Sequence, residues 1–154
     1  MPAPRTATAE IKPTQGNDVK GNVTFKLVDG ALRVTGQLSG LKPDSEHGFH
    51  IHEKGDCSAP DGSSAGGHFN PGAAAHGRAG AGAHHLGDLD NLSANAEGVA
   101  QIDTILQGAS LGGGAVGDIL GKAIVVHADP DDYRSQPSGN AGARLACGVI
   151  RPAR

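Results

Sequence analysis

The run Val19-Lys-Gly-Asn-Val-Thr-Phe-Lys-Leu-Val-Asp-Gly-Ala-Leu-Arg-Val-Thr-Gly-Gln-Leu38 decides the fold class. Val19, Gly21, Val23, Phe25 and Leu27 share one parity, and Lys20, Asn22, Thr24 and Lys26 take the other. A period of two means a strand with one buried face. Val28-Asp-Gly30 reads as the hairpin turn. Leu32, Val34, Gly36 and Leu38 then repeat the alternation, with Arg33, Thr35 and Gln37 outward.

Working outward, further strands are expected over His47–His52, Val99–Leu106, Lys122–His127 and Arg144–Ile150. Residues 53–88 and 128–143 are long loops, and residues 1–16 read as a flexible N-terminal leader before a single domain over 17–154. Seven or eight short strands with no convincing helix predict an all-β sandwich or barrel. Composition agrees. The chain has 154 residues, of which 25 are Gly. So much Gly would cost a helix bundle roughly 1 kcal/mol per interior position. No run of 18 apolar residues predicts a membrane span. The formal charge of -3 and the lack of a basic run argue against phosphate-neutralising nucleic-acid binding.

Eight His is the informative count. On a strand, His50 and His52 share a face opposite Phe49 and Ile51, about 6.5 Å apart, close enough to grip one metal ion. His47 follows Phe49 and Ile51 inward and reads as a buried, hydrogen-bonded imidazole. His68, His76, His84, His85 and Asp88 lie in the first long loop, and His127 ends a strand. That loop has few large apolar groups to order it, and metal ligation supplies the missing ordering energy. Nitrogen and oxygen donors suit zinc, copper, nickel or iron. Three His and one Asp make a tetrahedral zinc site without a water position, and the remaining His an imidazole-rich copper site. Cys57 and Cys147 are two free thiols or one disulfide.

The segments His47-Gly-Phe-His-Ile-His-Glu-Lys-Gly-Asp-Cys57, Ser64-Ala-Gly-Gly-His-Phe-Asn-Pro71, His76-Gly77, His85-Leu-Gly-Asp-Leu89, Val125-Val-His127 and Gly139-Asn-Ala-Gly-Ala-Arg-Leu-Ala-Cys-Gly-Val149 occur in this order. Over roughly residues 17–152 the chain resembles the copper/zinc superoxide dismutases, specifically their bacterial periplasmic branch. The resemblance implies an eight-stranded Greek-key β-barrel with two long functional loops. It implies copper on His50, His52, His68 and His127, and zinc on His68, His76, His85 and Asp88, with His68 as the shared bridge. The family's His-x-Gly-Asp spacing selects His85 over His84. Asp131 is implied as the carboxylate joining a copper His to a zinc His, and Cys57 with Cys147 as the family's disulfide.

The activity implied is superoxide dismutation by alternating reduction and oxidation of copper. In that scheme His68 is protonated when its bond to copper breaks, and Arg144 beside copper guides the anion. The implied partner is the superoxide anion, and the branch includes both monomers and homodimers. The implied compartment is the periplasm, with the signal peptide absent from this chain or replaced by Met1.

Overall fold

The computed structural model describes residues 5–78, 83–136 and 138–153. Nine strands lie among the described residues: β1 (Thr6–Pro13), β2 (Lys20–Val28), β3 (Ala31–Ser39), β4 (Glu46–His47), β5 (Phe49–His52), β6 (Leu92–Ser93), β7 (Ala100–Leu106), β8 (Ala123–His127) and β9 (Arg144–Pro152). The described helix is a single 3-10 turn, Ser63–Ala65. The chain is all-β.

Seven strands form one curled antiparallel sheet in the order β5-β8-β9-β1-β2-β3-β7, and β4 pairs with β6. Gly48 alone separates β4 from β5, so the two are halves of one interrupted strand, which reconciles the nine elements with the expected eight. The sheet curls back on itself because β6 turns into β7 at Asn95–Val99, where Asn95 N–H donates to the Val99 carbonyl at 2.9 Å. The connections from β3 to β4 and from β7 to β8 cross between the ends of the sheet in the Greek-key manner.

The β2–β3 hairpin forms as its sequence predicts. Asp29 and Gly30 both take positive φ, at 51° and 82°, the backbone of a tight turn matched to strand twist. The curled sheet buries Val23, Phe25, Leu32, Val34 and Leu38 in its core. β8 is buried on both faces. Ile124 and Val126 join the main core, whereas Ala123 and Val125 pack with Ala65, Cys147 and Cys57 beneath the first long loop. A strand covered on both sides reads as a continuous apolar run.

Of the leader expected over 1–16, residues 1–4 lie outside the described residues, and the rest is corrected. Residues 6–13 are a strand inside the sheet, paired with β2 on one side and β9 on the other. Ala7, Ala9 and Ile11 face the core and alternate with Thr8, Glu10 and Lys12. The period was present, but alanine is a weak strand former and the signal was faint. Ile11 is 1% exposed, so Ile11→Ala is expected to cost about 2–5 kcal/mol in urea unfolding. A loss below about 0.5 kcal/mol, the range of surface changes, would restore the leader reading.

Candidate metal centre

The site starts on β5. Phe49 and Ile51 enter the core, and His50 and His52 emerge on the opposite face, all four buried. One edge of β5 pairs with β8, and the first long loop docks along the other. Phe69 N–H donates to the Ile51 carbonyl at 2.7 Å, Ile51 N–H to Gly87 at 2.9 Å, and Glu53 N–H to Gly67 at 2.9 Å. This covers an edge that would otherwise be open. It also sets His68 opposite His52 and Asp88 opposite His50 in isolated bridges. Gly87 permits the approach, since a Cβ there would sit 2.3 Å from the Ile51 carbonyl oxygen. His127 arrives from β8 at a register shift in its pairing with β9.

Two four-residue donor clusters result. His50, His52, His68 and His127 converge in one, and His68, His76, His85 and Asp88 in the other. All seven residues are buried. Of the adjacent pair, His85 enters the second cluster, while His84 turns its Nδ1 onto the His85 carbonyl at 2.7 Å. His47 is a buried imidazole hydrogen-bonded to the His127 carbonyl at 2.8 Å and stays outside both clusters, as its sequence reading expects.

The rings are aimed by their outward nitrogens. His52 Nδ1 donates to the Gly66 carbonyl at 2.8 Å and His127 Nδ1 to the Gly142 carbonyl at 3.3 Å. Asp131 accepts from His50 Nε2 on one oxygen at 2.7 Å and from His76 Nε2 on the other at 2.8 Å. Each of these four rings therefore points a bare nitrogen at the centre. His52 Nε2 and His127 Nε2 meet lone pair to lone pair at 3.3 Å. His50 Nδ1, His68 Nε2 and His76 Nδ1 are buried without hydrogen-bond partners. His76 Nδ1 does lie 2.9 Å from Asp88 Oδ2, but outside hydrogen-bond geometry. Buried acceptors facing one another without protons are stabilised by a cation, so the donors present fit a metal in each cluster.

Electrostatics favours the ligand form at several of these groups, whereas at His76 burial lowers the ring's pKa but the Asp88 and Asp131 carboxylates outweigh it and raise it. Burial pushes His50 down to about 4 and His127 down to about 3, so the rings stay neutral with lone pairs available. Burial works against ionised Asp88, yet the hydrogen bonds from His68 and from the His85 backbone N–H, with the His76 ring close by, hold its carboxyl well below the usual range. Asp131 is likewise lowered, its desolvation outweighed by hydrogen bonds from His50 and His76.

Arg144 opens β9 half-buried, its Nη1 donating to the Gly62 carbonyl at 2.8 Å. Its charge adds to the lowering of His52 and His127, after burial. Gly62 lies in the loop tethered by the Cys57–Cys147 disulfide, which spans 90 residues with Cα atoms 5.7 Å apart. Missed by sequence reasoning were the backbone carbonyls of Gly62, Gly66 and Gly142, which carry no residue-type signal.

Residues 19–150 match the family model described as copper/zinc superoxide dismutase. A protein of Caulobacter vibrioides named superoxide dismutase [Cu-Zn] is 43% identical over 151 residues, covering 95% of this chain and 86% of that one. Superoxide dismutase [Cu-Zn] 2 of Aquifex aeolicus is 38% identical over 148 residues, covering 94% and 86%. A solved structure of a SOD-like protein from Bacillus subtilis superposes with a TM-score of 0.84 at 38% identity, covering 92% of this chain and 96% of that one. The structure of the clock protein EA4 superposes at 0.88, also at 38% identity, covering 99% and 98%.

Proposed function

The chain belongs to the copper/zinc superoxide dismutase family, and on that premise we propose a residue-by-residue assignment of its metal centre. The enzyme converts superoxide to dioxygen and hydrogen peroxide with copper and zinc as cofactors. His50, His52, His68 and His127 hold copper; His68, His76, His85 and Asp88 hold zinc; Asp131 links the two sites through His50 and His76. The observation that carries this is the overlap of two buried four-donor clusters in His68 alone. Copper, when bound, supplies a one-electron couple serving two successive superoxide anions, and zinc supplies a fixed positive charge.

The protein's own groups do the rest. His68 Nε2 takes up a proton in one half of the cycle and releases it toward the peroxide formed in the other. Asp131 and the Gly66 and Gly142 carbonyls keep the remaining rings from turning. Arg144 attracts the anion and docks it; of its five N–H donors, the Gly62 carbonyl occupies one. Arg144→Ser is expected to lower kcat/KM about tenfold or more and to flatten its dependence on ionic strength. Cytochrome c competition across a salt series measures both, and an unchanged salt slope would contradict the steering role.

The assignment itself is tested by metal analysis and copper electron paramagnetic resonance on the loaded full chain. One copper and one zinc per chain with an imidazole-bridged copper signal is the expected result. A fully loaded chain without dismutase activity would overturn it.

The disulfide and the bacterial relatives point to an oxidising, extracytoplasmic compartment. Within that, we infer the periplasm, which cell fractionation tests. We also take residues 17–154 together with β1 as one domain. The family resemblance allows a homodimer, which sedimentation tests. No helix among the described residues is long and apolar enough to cross a membrane.

A further inference from the structure

Tyr133 belongs to neither donor cluster, yet its backbone is one of the few non-glycine positions at positive φ, 63°. An L side chain in the left-handed region costs free energy and persists only where its surroundings over-determine it. Here three contacts do so. Tyr133 N–H donates to Asp131 Oδ1 at 2.7 Å, the same oxygen that accepts from His76 Nε2. The Tyr133 hydroxyl accepts the Asn91 backbone N–H at 3.0 Å. The Arg78 guanidinium sits 4.8 Å from the ring centroid, and Arg78 Nε is paired with Asp90 at 3.2 Å.

The contacts run between the two long connections. Arg78 lies two residues beyond His76, and Asp90 two residues beyond Asp88. Tyr133 lies two residues beyond Asp131. Asn91 completes the link by pairing with the Asp131 backbone in both directions, Nδ2 donating to its carbonyl at 3.0 Å and Oδ1 accepting its N–H at 2.8 Å. The ring and hydroxyl of Tyr133 thus fasten one loop to the other, and its backbone N–H feeds the carboxylate that holds both His50 and His76.

We propose that Tyr133 is a positioning residue whose clasp to Arg78 and Asn91 aims the Asp131 carboxylate, and through it one imidazole of each metal cluster. This rests on the site assignment above. Without the clasp, a residue at 133 relaxes toward negative φ and turns its N–H away from Asp131. The carboxylate then loses the bond that fixes its rotation, and His50 and His76 lose the common anchor on their outward nitrogens. A side chain that touches neither cluster therefore sets the geometry of both, whereas a purely local packing role would leave the copper ligands undisturbed.

The test uses the full-length chain with Tyr133→Ala, Tyr133→Phe and Tyr133→Gly. Zinc affinity is read by competition with a chromogenic chelator. The copper electron paramagnetic resonance spectrum is read on the copper- and zinc-loaded protein, and metal-free melting by circular dichroism reports the fold. Tyr133→Ala is expected to weaken zinc about 10–100-fold, the range for loss of an outer ligand partner, and to shift the copper spectrum. Tyr133→Gly, free to keep positive φ, is expected to fall between Ala and wild type. Tyr133→Phe keeps the ring on Arg78 and loses only the hydroxyl contact, so a few-fold weakening is expected; it carries the test if Ala does not fold. Wild-type zinc affinity in both Ala and Phe overturns the proposal, as does weakened zinc with an unchanged copper spectrum. A wild-type chain that takes up no zinc overturns the site assignment itself, which separates the two failures.

Discussion

His68→Ala is expected to abolish dismutation, with a loss well beyond the roughly 10–100-fold that follows removal of an outer ligand partner. His68 is the only residue common to the two four-donor clusters. Its Nδ1 faces Asp88 Oδ1 at 2.8 Å and His85 Nδ1 at 3.1 Å, while its Nε2 is buried without a partner on the other side. The ring lies 4.0 Å from His50 and 5.0 Å from His76 between centroids, wedged between the clusters. Alanine removes one donor from each site and also the proton carrier. Zinc should bind more weakly, and the bridged copper signal should be replaced by that of an isolated site. The fold should survive, because residue 68 is held to β5 through its backbone and its neighbours. His84→Ala is the matched control, since among the described residues the His84 ring bonds the His85 carbonyl and lies outside both clusters. Equal activity loss in the two variants would mean that general loop disruption, rather than the shared ligand, explains the effect.

The second large effect concerns the disulfide. Reducing Cys57–Cys147, or replacing both by Ser, is expected to lower unfolding stability by about 4–5 kcal/mol on the chain-entropy estimate, given the 90-residue separation. Cys147 is 4% exposed and packs with Ala65, Ala123 and Val125, so part of that small cluster loosens as well. The consequence reaches the site. The tethered segment carries Gly62, whose carbonyl holds Arg144, and Gly66, whose carbonyl orients His52. Urea unfolding of the metal-free chain, oxidised against reduced, measures the effect without a contribution from ligation. A reduced chain with an unchanged midpoint would show that the bridge is not a source of stability.

These two effects divide along what could be read from the residues. The His50-Ile-His52 alternation announced a strand with ligands on one face, because side chains on a strand alternate whatever the rest of the chain does. The Asp29-Gly30 turn was readable for the same local reason. Strand β1 was not read, because Ala7 and Ala9 alternate with too little apolar contrast; only pairing with both β2 and β9 makes them core. The two-residue pair β4–β6 is too short to leave any period at all.

By itself, then, the sequence determined the all-β class, the faces of the main strands and the donor chemistry of the loops, and through family resemblance it implied the division of seven ligands between two metals. Only the tertiary structure decided which nitrogen of each ring faces inward and that Tyr133 lies beside the carboxylate joining the sites. The physical reason is separation along the chain. Local periodicity reports where a side chain points relative to its neighbours. The orientation of an imidazole depends on acceptors such as Gly66, Asp131 and Gly142, which come into contact only when the loops dock on the curled sheet.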